Sequence, residues 1–292
     1  MQEGPRSQSE IPMDSPPPSS LRDVFKNVDG VVLTAGAGMG IDSGLPDFRG
    51  SRGFWKAYPA LGQAKLSFQE VASPRTFRED PRLAWGFYGH RLTLYRNTVP
   101  HRGFALLHRI ADRIRHGAFV FTSNVDGQFS KSGTPEDRIL ECHGSIHFLQ
   151  CMDDCRGAVW PCDDLDPEVD TEHIRLCSEL PLCPFCGGLA RPNILMFDDS
   201  RWNSARAREQ SFQWHKWRER CTQPVVIEIG AGTAIPTVRH FGESLGCPLL
   251  RINPREPQVF RPRDMALNMG AVEGIRLIAR ALGIREEDER EK

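Results

Sequence analysis

Four cysteines stand in two pairs whose spacing suits a single metal ion. Cys151 and Cys155 form a C-x3-C pair, and Cys183 and Cys186, separated from it by 27 residues, form a C-x2-C pair. Four thiolates presented by two such turns make a tetrahedral structural zinc site. Cys162 and Cys177 lie between the pairs and are the alternative ligands. The chain has nine cysteines, and an odd number favours metal ligands and reduced thiols over a disulfide framework.

A glycine cluster follows a short apolar run near the start of the chain. Residues 31–34 read Val-Val-Leu-Thr and lead into Gly36, Gly38 and Gly40. Such a run and cluster are typical of a buried strand that delivers a loop and a helix N-terminus to a phosphate. Backbone N–H groups can approach a phosphate closely only where no Cβ intervenes, which explains glycines in such a loop. The spacing is G-x-G-x-G rather than the Rossmann G-x-G-x-x-G. Two interpretations therefore stay open, a dinucleotide cradle and a glycine-rich turn of an α/β core.

Polar residues follow a second predicted strand, and one histidine could serve as a base. Ser123, Asn124 and Asp126 come directly after the strand predicted at 118–122, where open α/β sheets bind their ligands. Taken alone, the segment is more typical of an Asx-rich strand end than of a binding site. His143 precedes a glycine and is the candidate general base, because imidazole titrates near neutral pH. His147 is the weaker alternative.

These motifs, taken together and in this order, resemble those of the sirtuins, the NAD-dependent protein lysine deacylases. The glycine loop continues at 43–50 as Ser-Gly-Leu-Pro-Asp-Phe-Arg-Gly, and Ser-Asn-Val-Asp, His-Gly and Cys-Pro-Phe-Cys-Gly-Gly follow. Residues 191–197, Arg-Pro-Asn-Ile-Leu-Met-Phe, complete the series. The resemblance covers about residues 30–255. It implies that the chain consumes NAD as a co-substrate, deacylates acylated proteins, and releases nicotinamide and 2′-O-acyl-ADP-ribose.

The resemblance also implies a role for each matching residue. His143 and Asn124 would be catalytic, and Phe197 would help to bind the substrate backbone. The predicted NAD-binding residues are Gly36, Ala37, Gly38, Asp47, Phe48, Arg49, Ser123, Asn124, Asp126, Gly232, Thr233 and Asn253. The predicted zinc ligands are Cys151, Cys155, Cys183 and Cys186.

The chain departs from the family pattern at four places. Ser123 stands where glutamine is common, and Gly40 stands where serine is usual. The family's Gly-Thr-Ser turn becomes Gly-Thr-Ala from Gly232, with an alternative alignment at Gly230. Asp198 replaces the glycine of the Phe-Gly-Glu segment that pairs with substrate by β-addition. The change at Asp198, which adds a Cβ and a charge, bears on peptide docking rather than on NAD binding.

One helical pair bears on the choice of acyl group. Tyr88 and Arg91 are three residues apart, on one face of a predicted helix. They match the Tyr-x-x-Arg of the sirtuin branch that removes succinyl, malonyl and glutaryl groups. A guanidinium beside a phenol suits a distal carboxylate. The alternative is an arginine on a solvated face beside a core tyrosine.

The pattern of elements predicts an α/β fold, a doubly wound parallel (Rossmann-like) sheet with a smaller zinc-binding plus helical lobe. Strands are predicted at 31–34, 118–122, 225–229 and 248–252, and helices at about 101–116 and 271–282. Pro74 and Pro81 mark two further helix starts. The NAD-binding domain would comprise residues 21–50, 101–150 and 191–285. Residues 51–100 would form the cofactor loop and helical lobe, and 151–190 the zinc-binding module. Residues 1–20 would be a disordered tail and 286–292 a charged tail.

Composition excludes several classes of protein. The 292 residues are 39% hydrophobic and 26% charged, with a formal net charge of −1, which argues against nucleic-acid and membrane partners. No apolar run approaches the ~20 residues of a membrane span, and no signal peptide is evident, so a cytoplasmic location is expected. The protein is also expected to be a monomer. Besides a deacylase, two readings stay open, a protein mono-ADP-ribosyltransferase and a non-catalytic NAD-sensing module. A zinc-ribbon nucleic-acid binder is disfavoured by the balanced charge.

Overall fold

The structure is a computed structural model that describes residues 20–46 and 50–285. The predicted tails, apart from Ser20, lie outside the described residues. In chain order the strands are β1 (Gly30–Ala35), β2 (Ala118–Thr122), β3 (Ile139–Glu141), β4 (Gly144–Cys151), β5 (Val159–Pro161), β6 (Val169–Asp170), β7 (Arg175–Leu176), β8 (Ala190–Ile194), β9 (Pro224–Ile229), β10 (Leu249–Ile252) and β11 (Met265–Leu267).

The helices alternate with these strands over most of the described chain. They are α1 (Leu21–Val24), α2 (Gly50–Ala57), α3 (Pro59–Gln63), α4 (Phe68–Val71), α5 (Pro74–Glu79), α6 (Pro81–Asn97), α7 (Gly103–Ala111), α8 (Gln128–Lys131), α9 (Ala205–Arg218), α10 (Thr237–Ser244) and α11 (Ala271–Ala281). Within the described residues, no helix is long and apolar enough to cross a membrane.

The larger part of the molecule is organised by a six-stranded parallel sheet, in the order β11-β10-β9-β1-β2-β3. The chain runs outward from β1 to β3 and then returns to the other side of β1 with β9. Strands β1 and β9 pair along their whole length, from Gly30 beside Pro224 to Ala35 beside Ile229. The strand order therefore reverses between β1 and β9, where open α/β sheets bind ligands at the strand carboxyl ends. The predicted doubly wound parallel sheet is confirmed.

Both faces of this sheet are covered, which explains why its strands are apolar throughout rather than alternating. Val31 and Leu33 of β1 join the core formed with α7 and α11. Val32 points the other way, into the core that contains Trp214 and Trp217 of α9. The period-two alternation of side chains thus divides β1 between two helical layers.

A helical lobe follows the glycine loop, and its helix starts were predicted from two prolines. Pro74 opens α5 after Ser73, whose hydroxyl accepts a hydrogen bond from Thr76 N. Pro81 opens α6 after Asp80, which caps the helix through Leu83 N at 3.1 Å. A proline at the first helical position loses no hydrogen bond, and the preceding side chain satisfies a free N–H. The lobe packs in one aromatic-rich core with the cysteine-rich insert.

Three details differ from the sequence-based expectation. The helix predicted at 101–116 ends at Ala111, and turns lead to Gly117, which has a φ of +65°. The glycine loop enters a short 3-10 turn, Ala37–Met39, rather than an α-helix. Strands β4 and β8, expected in the NAD-binding region, pair with β5 in a separate antiparallel sheet that carries the cysteine-rich insert.

Candidate functional site

The glycine loop after β1 is pressed against a second glycine loop after β9. Gly36 N donates to Ile229 O and Gly38 N to Gly230 O, each at 3.0 Å. A Cβ on Gly36 would lie 2.8 Å from Gly230 O, and one on Gly230 would lie 2.4 Å from Gly38 Cα. Gly230 also has a φ of +62°. These two positions require glycine, because the loops touch backbone to backbone. Ala37, predicted for NAD, lies in the same loop.

The second glycine loop is anchored from beneath by Asn253, which follows β10. The Asn253 Nδ2 donates to Ala231 O at 2.9 Å, and the side chain is buried. Thr233 Oγ1 donates to Glu256 Oε1 at 2.6 Å, which fastens the predicted Gly232–Thr233 turn. Asn253 therefore shapes the loop through its side chain.

The segment after β2 is tied to the glycine loop. Asn124 Nδ2 donates to Gly36 O at 3.0 Å, and Ser123 N donates to Ala35 O at 3.3 Å. Asp126 Oδ1 accepts from Gln128 N at 3.0 Å. Burial raises the pKa of Asp126 to about 6, although that hydrogen bond and the charge of Arg91 act in the opposite direction.

His143 occupies the sharp turn between β3 and β4. Gly144 has a φ of +79°, and a Cβ there would lie 2.0 Å from Asn193 O, so the turn requires glycine. The carbonyl of His143 accepts from Leu195 N at 2.9 Å. Burial lowers the pKa of His143, so its imidazole is neutral at physiological pH and can accept a proton. The ring makes no hydrogen bond with another described residue.

His147, the weaker candidate base, is engaged elsewhere. Its Nε2 lies 3.0 Å from Asp126 O, and its ring packs against Gly127. The structure thus uses His147 to support the loop that carries Asp126.

Sequence analysis missed an ion pair that supports the His143 turn. Glu141, two residues before His143, is buried and forms an ion pair with Arg206 of α9. Burial raises the pKa of Glu141, and the charge of Arg206 opposes this rise. Gln210 of α9 also accepts from Glu141 N at 3.0 Å. The sequence carried no signal for this contact, because the partners are 65 residues apart.

Tyr88 and Arg91 of α6 are both buried in the helical lobe. The Arg91 guanidinium carbon lies 5.8 Å from the Tyr88 ring centroid and 5.2 Å from that of Phe87. Burial raises the pKa of Tyr88 to about 12, so its hydroxyl stays protonated and can donate a hydrogen bond. The solvated-face interpretation of Arg91 is wrong, because the surrounding aromatic residues enclose it.

Phe197 lies at the end of the segment that follows β8. Its N–H donates to Ala72 O at 3.0 Å, and its ring contacts Phe68 at 5.7 Å. The next residue, Asp198, has a φ of +54°, in the region that favours glycine. Asp199 forms a fully buried ion pair with Arg191 at 2.7 Å. The substitution of glycine is thus accommodated in a left-handed turn that the ion pair fastens.

The four cysteines predicted as zinc ligands converge in space. The Sγ atoms of Cys151 and Cys186 are 3.7 Å apart and those of Cys155 and Cys183 are 3.6 Å apart, and all four sulfurs lie within 4.8 Å of one another. A tetrahedron with Zn–S bonds of about 2.3 Å has sulfur–sulfur edges of about 3.8 Å, so the cluster fits zinc.

The two alternative cysteines lie outside this cluster. The thiol of Cys162 is buried and donates to Ile146 O at 3.5 Å. Cys177 is exposed, and its thiol points to Arg175 O at 3.7 Å. The candidate metal site is therefore the C-x3-C and C-x2-C set, and a bound ion would cross-link an insert that has little core of its own.

Three predicted NAD-binding residues, Asp47, Phe48 and Arg49, lie outside the described residues. The remaining predicted cofactor residues share one edge of the sheet. Gly36 follows β1, Asn124 follows β2 and His143 follows β3, and these strands are parallel neighbours. Gly230 follows β9 and Asn253 follows β10 at the same edge. Five strand ends thus bring the glycine loops, the amide and the imidazole to one edge of the sheet.

A model of the Sir2 family matches residues 36–211, more than half of the chain. The chain belongs to the Sir2 family. Among the relatives of this Sir2 protein is an NAD-dependent protein deacylase of Aeropyrum pernix, 28% identical over 264 residues, which are 89% of this chain and 96% of the relative. The mitochondrial NAD-dependent protein deacylase sirtuin-5 of Canis lupus familiaris is 28% identical over 197 residues, 62% of this chain and 60% of the relative.

A further relative of the Sir2 protein carries a different name. The "Probable bifunctional ADP-ribose hydrolase/ADP-ribosyltransferase" of Fusarium oxysporum f. sp. cubense is 31% identical over 252 residues, which are 80% of this chain and 41% of the relative.

Solved structures of Sir2 homologues share the fold of this Sir2 protein. One, a complex with ADP-ribose, has a TM-score of 0.66 at 22% identity and covers 92% of this chain and 100% of that one. Another, a complex with NAD, has a TM-score of 0.66 at 21% identity, over 90% and 93%. At this identity the likeness establishes the fold alone.

Proposed function

We propose that this Sir2 protein is an NAD-dependent protein lysine deacylase, which transfers the acyl group of an acyl-lysine to ADP-ribose. The observation that carries the proposal is the meeting of the Gly36 loop, Asn124 and His143 at the carboxyl edge of β1, β2 and β3. A phosphate cradle, an amide and a neutral imidazole are the groups that such a reaction needs at one place. Relatives named NAD-dependent protein deacylase support it.

NAD would be a co-substrate that supplies the ADP-ribose acceptor and nicotinamide as the leaving group. The loop of Gly36, Ala37 and Gly38 would pack against its pyrophosphate. The Ala37 N–H would be the donor, because the Gly36 and Gly38 N–H groups already donate to Ile229 O and Gly230 O. Asn124 and Asp126 would hold the nicotinamide ribose and carboxamide, since one offers an amide and the other an acceptor. His143 would accept a proton from a ribose hydroxyl, which the lowered pKa of its imidazole allows.

The preferred acyl groups would end in a carboxylate, as in succinyl- and malonyl-lysine. The Arg91 guanidinium is a buried cation with five N–H donors, and an acyl carboxylate would accept from it in surroundings that strengthen the attraction between opposite charges. The protonated hydroxyl of Tyr88 would add a second donor. Acyl-lysine proteins are thus the proposed partners, with Phe197 lining the entry of the peptide.

The test is the mass-spectrometric detection of nicotinamide and O-acyl-ADP-ribose from the purified protein, NAD and acyl-lysine peptides. Matched acetyl- and succinyl-lysine peptides are compared, with His143→Ala and His147→Ala variants alongside. We expect products from the wild type, their loss in His143→Ala, and their retention in His147→Ala. The absence of both products while NAD still binds would refute the deacylase.

A second candidate, protein mono-ADP-ribosyltransfer, is favoured by the name of the Fusarium relative. It would use the same NAD-binding cleft but would need no base that deacylates lysine. NAD labelled in its ADP-ribose part distinguishes the two functions. An ADP-ribosyltransferase would leave the label on a protein in the absence of any acyl peptide, and His143→Ala would retain this transfer. Binding of NAD without either product would instead indicate the sensing module.

A further inference from the structure

Arg91 is surrounded by every tyrosine in the protein. The chain has three tyrosines, Tyr58, Tyr88 and Tyr95, all of them buried. Each is close enough to Arg91 for the guanidinium to act on the pKa of its phenol. Together with Phe87 they form a cage of four rings, which we call the Arg91 cage. Such a concentration of phenols around one buried cation is a specific arrangement rather than general core packing.

Within the Arg91 cage, the Tyr95 phenol holds the guanidinium through two hydrogen bonds. The Tyr95 hydroxyl accepts from Arg91 Nε at 2.9 Å and from Arg91 Nη2 at 2.7 Å. Two N–H groups on one oxygen define both the position and the plane of the fork. Tyr95 stands four residues after Arg91 on α6, so the helix itself sets this geometry.

Tyr95 is in turn held by the segment that carries Asp126. The buried side chain of Gln128 donates through Nε2 to the backbone carbonyl of Tyr95 at 3.2 Å. The backbone N–H of Gln128 donates to the Asp126 carboxylate at 3.0 Å. The charge of Arg91 partly offsets the rise that burial causes in the pKa of Asp126, so these two groups also interact electrostatically. A continuous set of contacts thus links the proposed nicotinamide site to the guanidinium.

We infer that Tyr95 is a positioning residue that holds Arg91 in place for acyl groups that end in a carboxylate, and so sets acyl specificity. The inference rests on the proposed deacylase function. A long arginine side chain has many rotamers, and fixing the guanidinium before the substrate arrives removes that entropy cost from binding. Tyr88 would contact the carboxylate directly, whereas Tyr95 would act through Arg91.

The test compares kcat and KM of the wild type and Tyr95→Phe on succinyl- and acetyl-lysine peptides of one sequence. We expect KM for the succinyl peptide to rise roughly tenfold or more, as for the loss of hydrogen bonds to a charged group. The acetyl peptide should change by less than about twofold, because it presents no charge to the guanidinium. A merely structural role would move both peptides together.

Three further variants sharpen the result. Thr98→Val is the control, because it removes a hydroxyl at the end of α6 that donates to Leu94 O at 2.8 Å, and it should keep the wild-type ratio of succinyl to acetyl activity. In the Arg91→Lys background, Tyr95→Phe should have no further effect on the ratio. Tyr95→His keeps a ring acceptor and should retain part of the preference, which covers the case in which Tyr95→Phe does not fold.

The outcomes separate this inference from the proposed function. Equal loss on both peptides, or an unchanged ratio in Tyr95→Phe, would overturn the positioning role and leave the deacylase intact. If the wild type releases no nicotinamide with either peptide, the proposed deacylase function is overturned and the inference with it.

Discussion

The amide of Asn124 donates to the carbonyl of Gly36 at 3.0 Å, across the ends of two neighbouring parallel strands. This contact joins the proposed nicotinamide site to the proposed phosphate cradle. In the proposed function this asparagine both shapes the cradle and faces the co-substrate, so it would serve binding and chemistry. Its removal should therefore affect NAD affinity as well as turnover.

Asn124→Ala should weaken NAD binding and lower kcat together. The lost hydrogen bond alone is worth about 1 kcal/mol, roughly fivefold in affinity. The larger effect is expected in turnover, at least about tenfold, since the amide would also orient the leaving carboxamide. Calorimetric titration with NAD and a nicotinamide-release assay measure the two effects. Thr134→Ala, which removes a bond to His108, is the control and should bind NAD as the wild type does.

Asp126→Asn should stabilise the protein at neutral pH while it impairs turnover. The folded pKa of about 6 lies above the unfolded value near 3.9, so the ionised carboxylate is penalised in the fold. The contribution of the Asp126 carboxyl to the free energy of unfolding is therefore greatest below pH ~4, where the carboxyl is protonated in both states. This contribution is lost as pH rises through about 6. At neutral pH the penalty is at most about 3 kcal/mol, at 1.36 kcal/mol per pKa unit.

Denaturant unfolding at a series of pH values measures this effect. The gain of Asp126→Asn over the wild type should be largest above pH ~7 and vanish near pH 4. The asparagine keeps an oxygen for Gln128 N, so that hydrogen bond does not confound the comparison. A gain that is independent of pH would show that ionisation of Asp126 is not its cause.

The zinc content should be one ion per chain and should depend on the four-cysteine cluster. Cys183→Ser should lose the metal and destabilise the insert by several kcal/mol, because this segment has little apolar core to replace it. Cys177→Ser should keep the metal, since that thiol lies outside the cluster. Elemental analysis gives the stoichiometry, and limited proteolysis reports on the insert. Zinc retained in Cys183→Ser would contradict the assignment.

The parts of the fold that were predictable are those set by local sequence. Residues 31–34 are apolar because both faces of the sheet are covered, and Pro74 and Pro81 mark helix starts by their own stereochemistry. The cysteine pairs were readable because each turn brings two sulfurs to one ion. In these cases the signal lies within a few residues of the element that it specifies.

The parts that were not predictable depend on distant partners. Helix α7 ends at Ala111 although Ile114 continues an apolar pattern, because that side chain packs on the core from a turn. Strand β4 pairs with β8 across the whole insert, and no local pattern specifies that partner. Tyr95 could have been noticed four residues after Arg91, but only the structure shows that its hydroxyl faces the guanidinium.

Asp198→Gly should stabilise the protein. Asp198 is exposed and has a φ of +54°, a conformation in which an L side chain crowds the following carbonyl and glycine does not. After the extra flexibility that glycine gives the unfolded chain is subtracted, a gain of about 0.5 kcal/mol remains. Thermal unfolding at fixed pH measures it as a rise in Tm. Asp112→Gly, at a residue with a φ of −63°, is the matched control and should lower Tm. A fall in Tm for both variants would show that the Asp198 turn is held by its carboxylate rather than strained by its Cβ.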